Sequence, residues 1–95
     1  MRILTKKALT TFWEKHPESE APLRRWYKAV SKSDFRTFSE LRRAFPSVDK
    51  VGNLYVFNIG GNNYRLIAAI HFNRGKVFIQ HVLTHREYDN ERWKE

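Results

Sequence analysis

The spacing of apolar residues changes halfway along the chain, from a helical period up to Phe45 to alternation from Leu54 onward. Met1 to Leu4 predicts a short strand. Thr5 then suits a helix N-cap, because Ala8, Leu9, Phe12 and Trp13 share one helical face. His16-Pro17 should end that helix, since the residue before a proline is pushed out of the helical region. A second helix is expected after Ser19, with Pro22 tolerable in its first turn and Leu23, Trp26, Tyr27 and Val30 forming its buried stripe. Thr37-Phe38-Ser39-Glu40 has the form of a capping box. It predicts a short helix with Leu41 and Phe45 inward and Arg42 and Arg43 outward, stopped by Pro46.

Beyond Leu54 the pattern predicts three antiparallel strands, over 54–59, 64–72 and 76–84. Gly60-Gly61-Asn62-Asn63 and Asn73-Arg74-Gly75 supply the turns, because Gly and Asn tolerate positive φ. With four residues in the first turn, Ile59 pairs with Tyr64 and Asn58 with Arg65. Alternation then places Tyr55, Phe57, Tyr64, Leu66, Ala68 and Ile70 on a face packed against the helices. Val56, Asn58, Arg65, Ile67, Ala69 and His71 fall on a second face, expected to be partly open, with the tail from His85 to Asp89 beside it. Thr84-His85-Arg86-Glu87 again has capping-box form and starts a short terminal turn or helix. The expected fold is a single α+β domain over 1–95, a small antiparallel sheet of three to four strands with the N-terminal helices on one face.

Composition narrows the function classes. Aromatic content of 15% lets rings such as Trp13, Trp26, Phe35, Phe45 and Phe57 fill the core of a 95-residue domain. The absence of cysteine excludes a disulfide frame and a thiolate metal site. Nothing resembles a signal peptide, and no apolar run approaches the roughly 20 residues of a membrane span, so a cytoplasmic protein without membrane contact is expected. The net charge of +8 points to a polyanionic partner. Arg24, Lys28 and Lys32 recur every fourth residue and, with Arg25, line one edge of the second helix, either as a solvated face or as phosphate contacts.

Arg65 stands out because it sits among Tyr64, Leu66 and Ile67. Burying an unpaired guanidinium costs several kcal/mol or more, so it must meet water, a buried partner such as Asp49 or Glu87, or an anionic ligand. No nucleotide-binding loop, zinc-protease motif or Ser-His-Asp pattern is present, and Gly60-Gly61 reads as turn chemistry. Among His16, His71, His81 and His85, only the last two are four apart, and strand spacing separates them, so neither a metal site nor a cofactor is expected.

What remains is a metal-free group of Arg65, His85, Arg86, Tyr88 and Lys50. Metal-free RNA cleavage needs a base for the 2′-hydroxyl proton, cations for the charge developing on the phosphate, and an acid for the leaving 5′-oxygen. Arg65, His85 and Tyr88 suit those roles, and Lys50, Asn58, Arg86 and the helical Arg24, Arg25 and Lys28 suit RNA contacts. Each also has a plainer reading: His85 as a helix cap, Tyr88 as a core aromatic, Lys50 as a loop lysine and His71 as a strand histidine.

Four blocks, in order, resemble the HigB toxins, a RelE-like family of bacterial type II toxin-antitoxin systems. They are Met1 to Leu9, Phe45-Pro46-Ser47-Val48-Asp49, Tyr55 to Asn62 with Tyr64-Arg65-Leu66, and Thr84-His85-Arg86-Glu87-Tyr88-Asp89. The resemblance implies a RelE-like fold and an mRNA interferase that cuts mRNA on the translating ribosome. It also implies neutralisation by a HigA-type helix-turn-helix antitoxin, through which alone operator DNA would be bound. By position, Arg65 matches the arginine that contacts the scissile phosphate, and His85 to Asp89 the C-terminal active-site segment. Which of His85 and Tyr88 is base and which is acid stays open. The alternative is a non-catalytic RNA- or ribosome-binding module that inhibits translation, or an adaptor acting through protein contacts.

Overall fold

The computed structural model describes residues 1–94. In chain order the elements are β1 (Arg2–Leu4), α1 (Lys7–Lys15), α2 (Glu20–Ser31), α3 (Phe38–Ala44), β2 (Asp49–Val51), β3 (Leu54–Ile59), β4 (Tyr64–His71), β5 (Lys76–Thr84) and α4 (His85–Asp89), with 3-10 turns at Pro17–Ser19, Phe72–Arg74 and Arg92–Lys94. The α+β class is as expected. The sheet has five strands, in the order β1-β5-β4-β3-β2.

Two edge strands correct the sequence-based sheet. β1 lies parallel to β5, Ile3 beside Val77, so the sheet is mixed rather than wholly antiparallel. β2 joins β3 through the two-residue turn Gly52-Asn53, with Val51 paired to Leu54. Its three residues are too few, and too polar, to show alternation. Thr5 also differs from expectation. It takes a positive φ of 64° and its hydroxyl accepts from Ile79 N–H at 3.0 Å, tying the end of β1 to β5, while Lys6 becomes the uncapped N-cap of α1.

The central hairpin has the expected register, Ile59 opposite Tyr64 and Asn58 opposite Arg65. Its helix-facing side packs Tyr55, Phe57, Ile59, Tyr64, Leu66 and Ala68 against Leu9, Leu23, Trp26, Val30 and Leu41. Phe57 is its centre, meeting Trp26 and Phe45 edge-on at 5.4 and 5.3 Å.

The second face is not open. Val56, Ile67 and Trp93 form a smaller buried cluster, with Val51, Leu54, Leu83 and Tyr88 packed on it. Leu83 and His81 reach this face because the register of β4 and β5 shifts between Ile67 and Ala68, leaving Gln80 as an extra residue. The same bulge sets Thr84 opposite Tyr64, so that α4 begins level with the start of β4.

Candidate active site

Arg65 is flanked across the ladder by Asn58 on β3 and Leu83 on β5. The turn before it doubles back through Gly60 and Gly61, both at positive φ, and this brings both oxygens of Asn62 to the Arg65 side chain. On the other side α4 starts directly off β5. Thr84 Oγ1 accepts from Glu87 N–H at 3.1 Å, and Glu87 Oε1 accepts from Thr84 N–H at 2.9 Å, the full capping box read from the sequence. His85 N–H donates to Asn63 O at 3.0 Å, joining the helix to the turn.

These supports enclose the guanidinium, and Arg65 is 7% exposed. Its Nη1 donates to Asn62 O at 3.2 Å and Tyr64 O at 3.1 Å. Its Nη2 donates to Asn62 Oδ1 at 2.6 Å and meets His85 Nδ1 at 3.1 Å. Neither ordinary carboxylate partner is used: Glu87 caps its own helix, and Asp49 Oδ1 accepts from Lys50 N–H at 2.9 Å. Every acceptor of Arg65 named here is neutral, so its charge is hydrogen-bonded but not cancelled.

A guanidinium only donates, so His85 Nδ1 is the acceptor of that contact and the ring hydrogen is on Nε2. Nε2 lies 3.1 Å from Asp89 Oδ2, one helical turn on. The imidazole is therefore held at both nitrogens, by a carboxylate on one side and a cation on the other. Beneath it Arg65 Cζ lies 5.3 Å from the centre of the Tyr88 ring, and Tyr88 stacks on Trp93 at 5.3 Å and 14°. Trp93 Nε1–H donates to Tyr88 O at 3.1 Å, and Glu91, at a φ of 62°, reverses the chain to make that possible.

Arg65, His85 and Tyr88 are thus brought together, with Arg86 exposed on the same short helix and Asn58 beside Arg65. Lys50 is not. It pairs with Tyr55 on the helix-facing side, its Nζ 5.9 Å from that ring, so the expected group including Lys50 does not form. Arg24, Arg25 and Lys28 lie on α2, across the sheet from Arg65. Arg24 is occupied by Glu20 at 2.7 Å and by the Trp13 ring at 4.8 Å, whereas Arg25 lines a cleft of about 320 Å³ with Asn58, Gly60 and Gly61. Sequence reasoning missed Asn62 and Trp93 as parts of the site, and it named Asp89 only as the end of the C-terminal segment, without its contact to His85. The available signals were the fixed i, i+4 offset of His85 and Asp89 and a lone tryptophan in a polar tail.

Tyr64, next to Arg65 on β4, lies on the helix-facing side. Burial first, then a hydrogen bond to Glu18, pushes the Tyr64 hydroxyl up from its usual 10.0. The exposed Glu18 carboxyl is held below its usual 4.5, by a backbone hydrogen bond first and by Tyr64 second.

A family model described as HigB_toxin, the RelE-like toxic component of a toxin-antitoxin system, matches residues 19–91, a span that includes Asn62, Arg65, His85, Tyr88 and Asp89. The chain is 38% identical over 92 residues to the mRNA interferase toxin HigB of Escherichia coli K12, with 94% of this chain and 88% of that protein covered. The mRNA interferase HigB of Escherichia coli O157:H7 gives the same identity and coverage, and that of Escherichia coli O6:H1 is 36% identical with 94% and 89% covered. With its helix-covered sheet and a family match over most of its length, the chain belongs to the HigB toxin family, RelE-like toxic components of toxin-antitoxin systems.

Proposed function

We propose that this protein is a ribosome-dependent mRNA endoribonuclease, neutralised by a HigA-type helix-turn-helix antitoxin that alone brings it to operator DNA. The observation that carries the proposal is a buried Arg65 guanidinium with no carboxylate partner among the described residues, touching a histidine whose far nitrogen meets Asp89. A buried cation kept uncancelled is suited to charge that appears on a phosphate only as the reaction proceeds. The names of the relatives, mRNA interferases, support the same reading.

The chemistry follows from the donor and acceptor roles. Asp89 keeps the ring hydrogen on Nε2, so the Nδ1 lone pair is the basic site of His85. His85 Nδ1 takes the 2′-hydroxyl proton as the 2′-oxygen forms its bond to phosphorus, and Arg65 stabilises the added negative charge. The bond from phosphorus to the 5′-oxygen breaks, and Tyr88 gives that oxygen its proton. The products are a 2′,3′-cyclic phosphate and a 5′-hydroxyl. Asn58 and Arg86 flank this centre and serve the RNA strand, while Lys50, Arg24, Arg25 and Lys28 lie where they meet RNA only away from the cut. Cleavage of translated mRNA places the activity in the bacterial cytoplasm, and no helix among the described residues is long and apolar enough to cross a membrane.

Induction of the protein without antitoxin in a bacterial host, followed by mapping of mRNA 5′ ends, tests the proposal. New 5′-hydroxyl ends within translated reading frames are expected. Arrested growth with unchanged mRNA ends would favour the non-catalytic ribosome-binding reading instead.

A further inference from the structure

A guanidinium has five N–H bonds, and four of those on Arg65 already point at protein acceptors, two from each terminal nitrogen. So occupied, it cannot take phosphate oxygens through those nitrogens until acceptors leave. The two on Nη1 are main-chain carbonyls, of Asn62 and Tyr64. The two on Nη2 are side chains of exposed residues, Asn62 Oδ1 and His85 Nδ1, and each can leave by a side-chain rotation with no change of backbone. Nη2 is therefore the exchangeable corner of the site, and its occupants include the nitrogen assigned above to take the 2′-hydroxyl proton.

We propose that Asn62 is a positioning residue whose Oδ1 stands in for an RNA phosphate oxygen on Arg65 Nη2, so that phosphate binding displaces Asn62 Oδ1 and His85 Nδ1 together and frees the histidine base only when substrate is present. The inference rests on the RNA-cleavage reading. Before binding, Asn62 fixes the guanidinium plane and the contact with Arg65 keeps a proton off His85 Nδ1. Once a phosphate oxygen takes Nη2, the imidazole rotates away from Arg65 while Nε2 stays within reach of Asp89, and the Nδ1 lone pair is free. No covalent step is added to the mechanism; one pair of hydrogen bonds is exchanged for another.

Charge substitution in the turn tests this. Asn62 is exposed and does not take positive φ, so the backbone accepts Asp or Ala there without strain. Asn62→Asp puts a carboxylate on Arg65 in place of the neutral oxygen, and Asn63→Asp adds the same charge one residue further on. The assay is single-turnover cleavage of mRNA on programmed ribosomes over a range of protein concentration, with melting temperatures alongside. Asn62→Asp is expected to raise the half-saturating concentration on the order of tenfold or more, at an unchanged or higher melting temperature, while Asn63→Asp moves it by less than about threefold. Asn62→Ala should lower the saturated rate without raising the half-saturating concentration. Equal shifts for the two aspartates, or no shift for Asn62→Asp, would overturn the inference while leaving the cleavage reading intact. A parent protein that does not cleave would overturn both. Independently of cleavage, ring ¹⁵N spectra of His85 should show a hydrogen-bonded Nδ1 that becomes a free acceptor when an RNA oligonucleotide with a 2′-deoxy cut site is added to programmed ribosomes. An unchanged Nδ1 signal on saturation with that oligonucleotide would also overturn it.

Discussion

At the scale of single residues, the chemistry of the site depends on what does not touch Arg65. Neutral acceptors fix a guanidinium's direction without consuming its charge, whereas a buried carboxylate would have done both and left a structural ion pair. Arg65→Lys should therefore rescue poorly, because an ammonium offers a point charge in place of a planar fork. A cleavage rate near that of Arg65→Ala is expected for it, and a rate near the parent's would mean that charge alone suffices. His85→Ala should lower the rate by roughly 10²- to 10⁴-fold and remove one limb of the pH-rate profile. Asp89→Asn keeps a hydrogen-bonding group beside Nε2 but can supply the wrong partner to the ring. It should reduce the saturated rate while leaving RNA affinity near the parent's, and a loss of affinity with an unchanged rate would count against its orienting role. From the sequence face alone, Arg65→Ala would spare the fold. Its burial changes that expectation, since the truncation leaves a void and strands the oxygens of Asn62 and Tyr64. A lowered melting temperature should accompany the loss of activity.

At the scale of elements, α4 and the turn beyond it decide whether Arg65 is covered. Trp93 is 8% exposed against Val56 and Ile67, so Trp93→Ala should cost up to ~3–5 kcal/mol by chemical denaturation and loosen Tyr88 with it. Thr84→Ala removes one half of the capping box and should cost about 1 kcal/mol. The shifted Glu18 and Tyr64 give stability two pH limits. The lowered Glu18 contributes above the unfolded value of 4.5 and loses its contribution as pH falls through the lower folded value; the raised Tyr64 contributes below 10.0 and loses its contribution as pH rises through the higher folded value. Tyr64→Phe should abolish the alkaline limit in melting temperature against pH and only lessen the acid one, because the backbone hydrogen bond that chiefly lowers Glu18 is kept. Much of this level was legible in the sequence. The Gly60-Asn63 turn and the rule that antiparallel partners keep a constant index sum were enough to place Asn58 opposite Arg65, and Thr84-Glu87 announced α4. The Gln80 bulge was not legible, because it answers to tertiary packing rather than to local pattern, and β2 was too short to show a period. Trp93 escaped for a related reason: one aromatic in a polar tail has no periodicity to reveal which surface it covers.

At the scale of the whole molecule, the sheet divides the labour. One face carries the main core under α1, α2 and α3, and the other carries a small cluster that serves chiefly to seat Arg65, Tyr88 and α4. The sequence pattern identified the two faces correctly but not that both are covered, since alternation reports which side a residue is on and not what lies over it. Residues 1–45 hold eleven Lys/Arg against five Asp/Glu and residues 46–95 seven against five, so most of the +8 charge lies in the helical half. Ribosome or RNA affinity should therefore fall on the order of tenfold to a hundredfold between about 50 and 200 mM salt. Replacing Arg25 and Lys28 with glutamate should weaken that affinity and reduce its salt dependence while sparing the saturated rate, because both lie across the sheet from Arg65. Titrations of programmed ribosomes at several salt concentrations check this, and an unaltered slope would remove α2 from the interface. The central claim, that Arg65 is the cation of a cleavage site, is tested most directly by the single-turnover rate of Arg65→Ala on translated mRNA, measured below its melting temperature. The account predicts a fall of roughly 10²- to 10³-fold with ribosome affinity largely kept, and cleavage within a few-fold of the parent would contradict it.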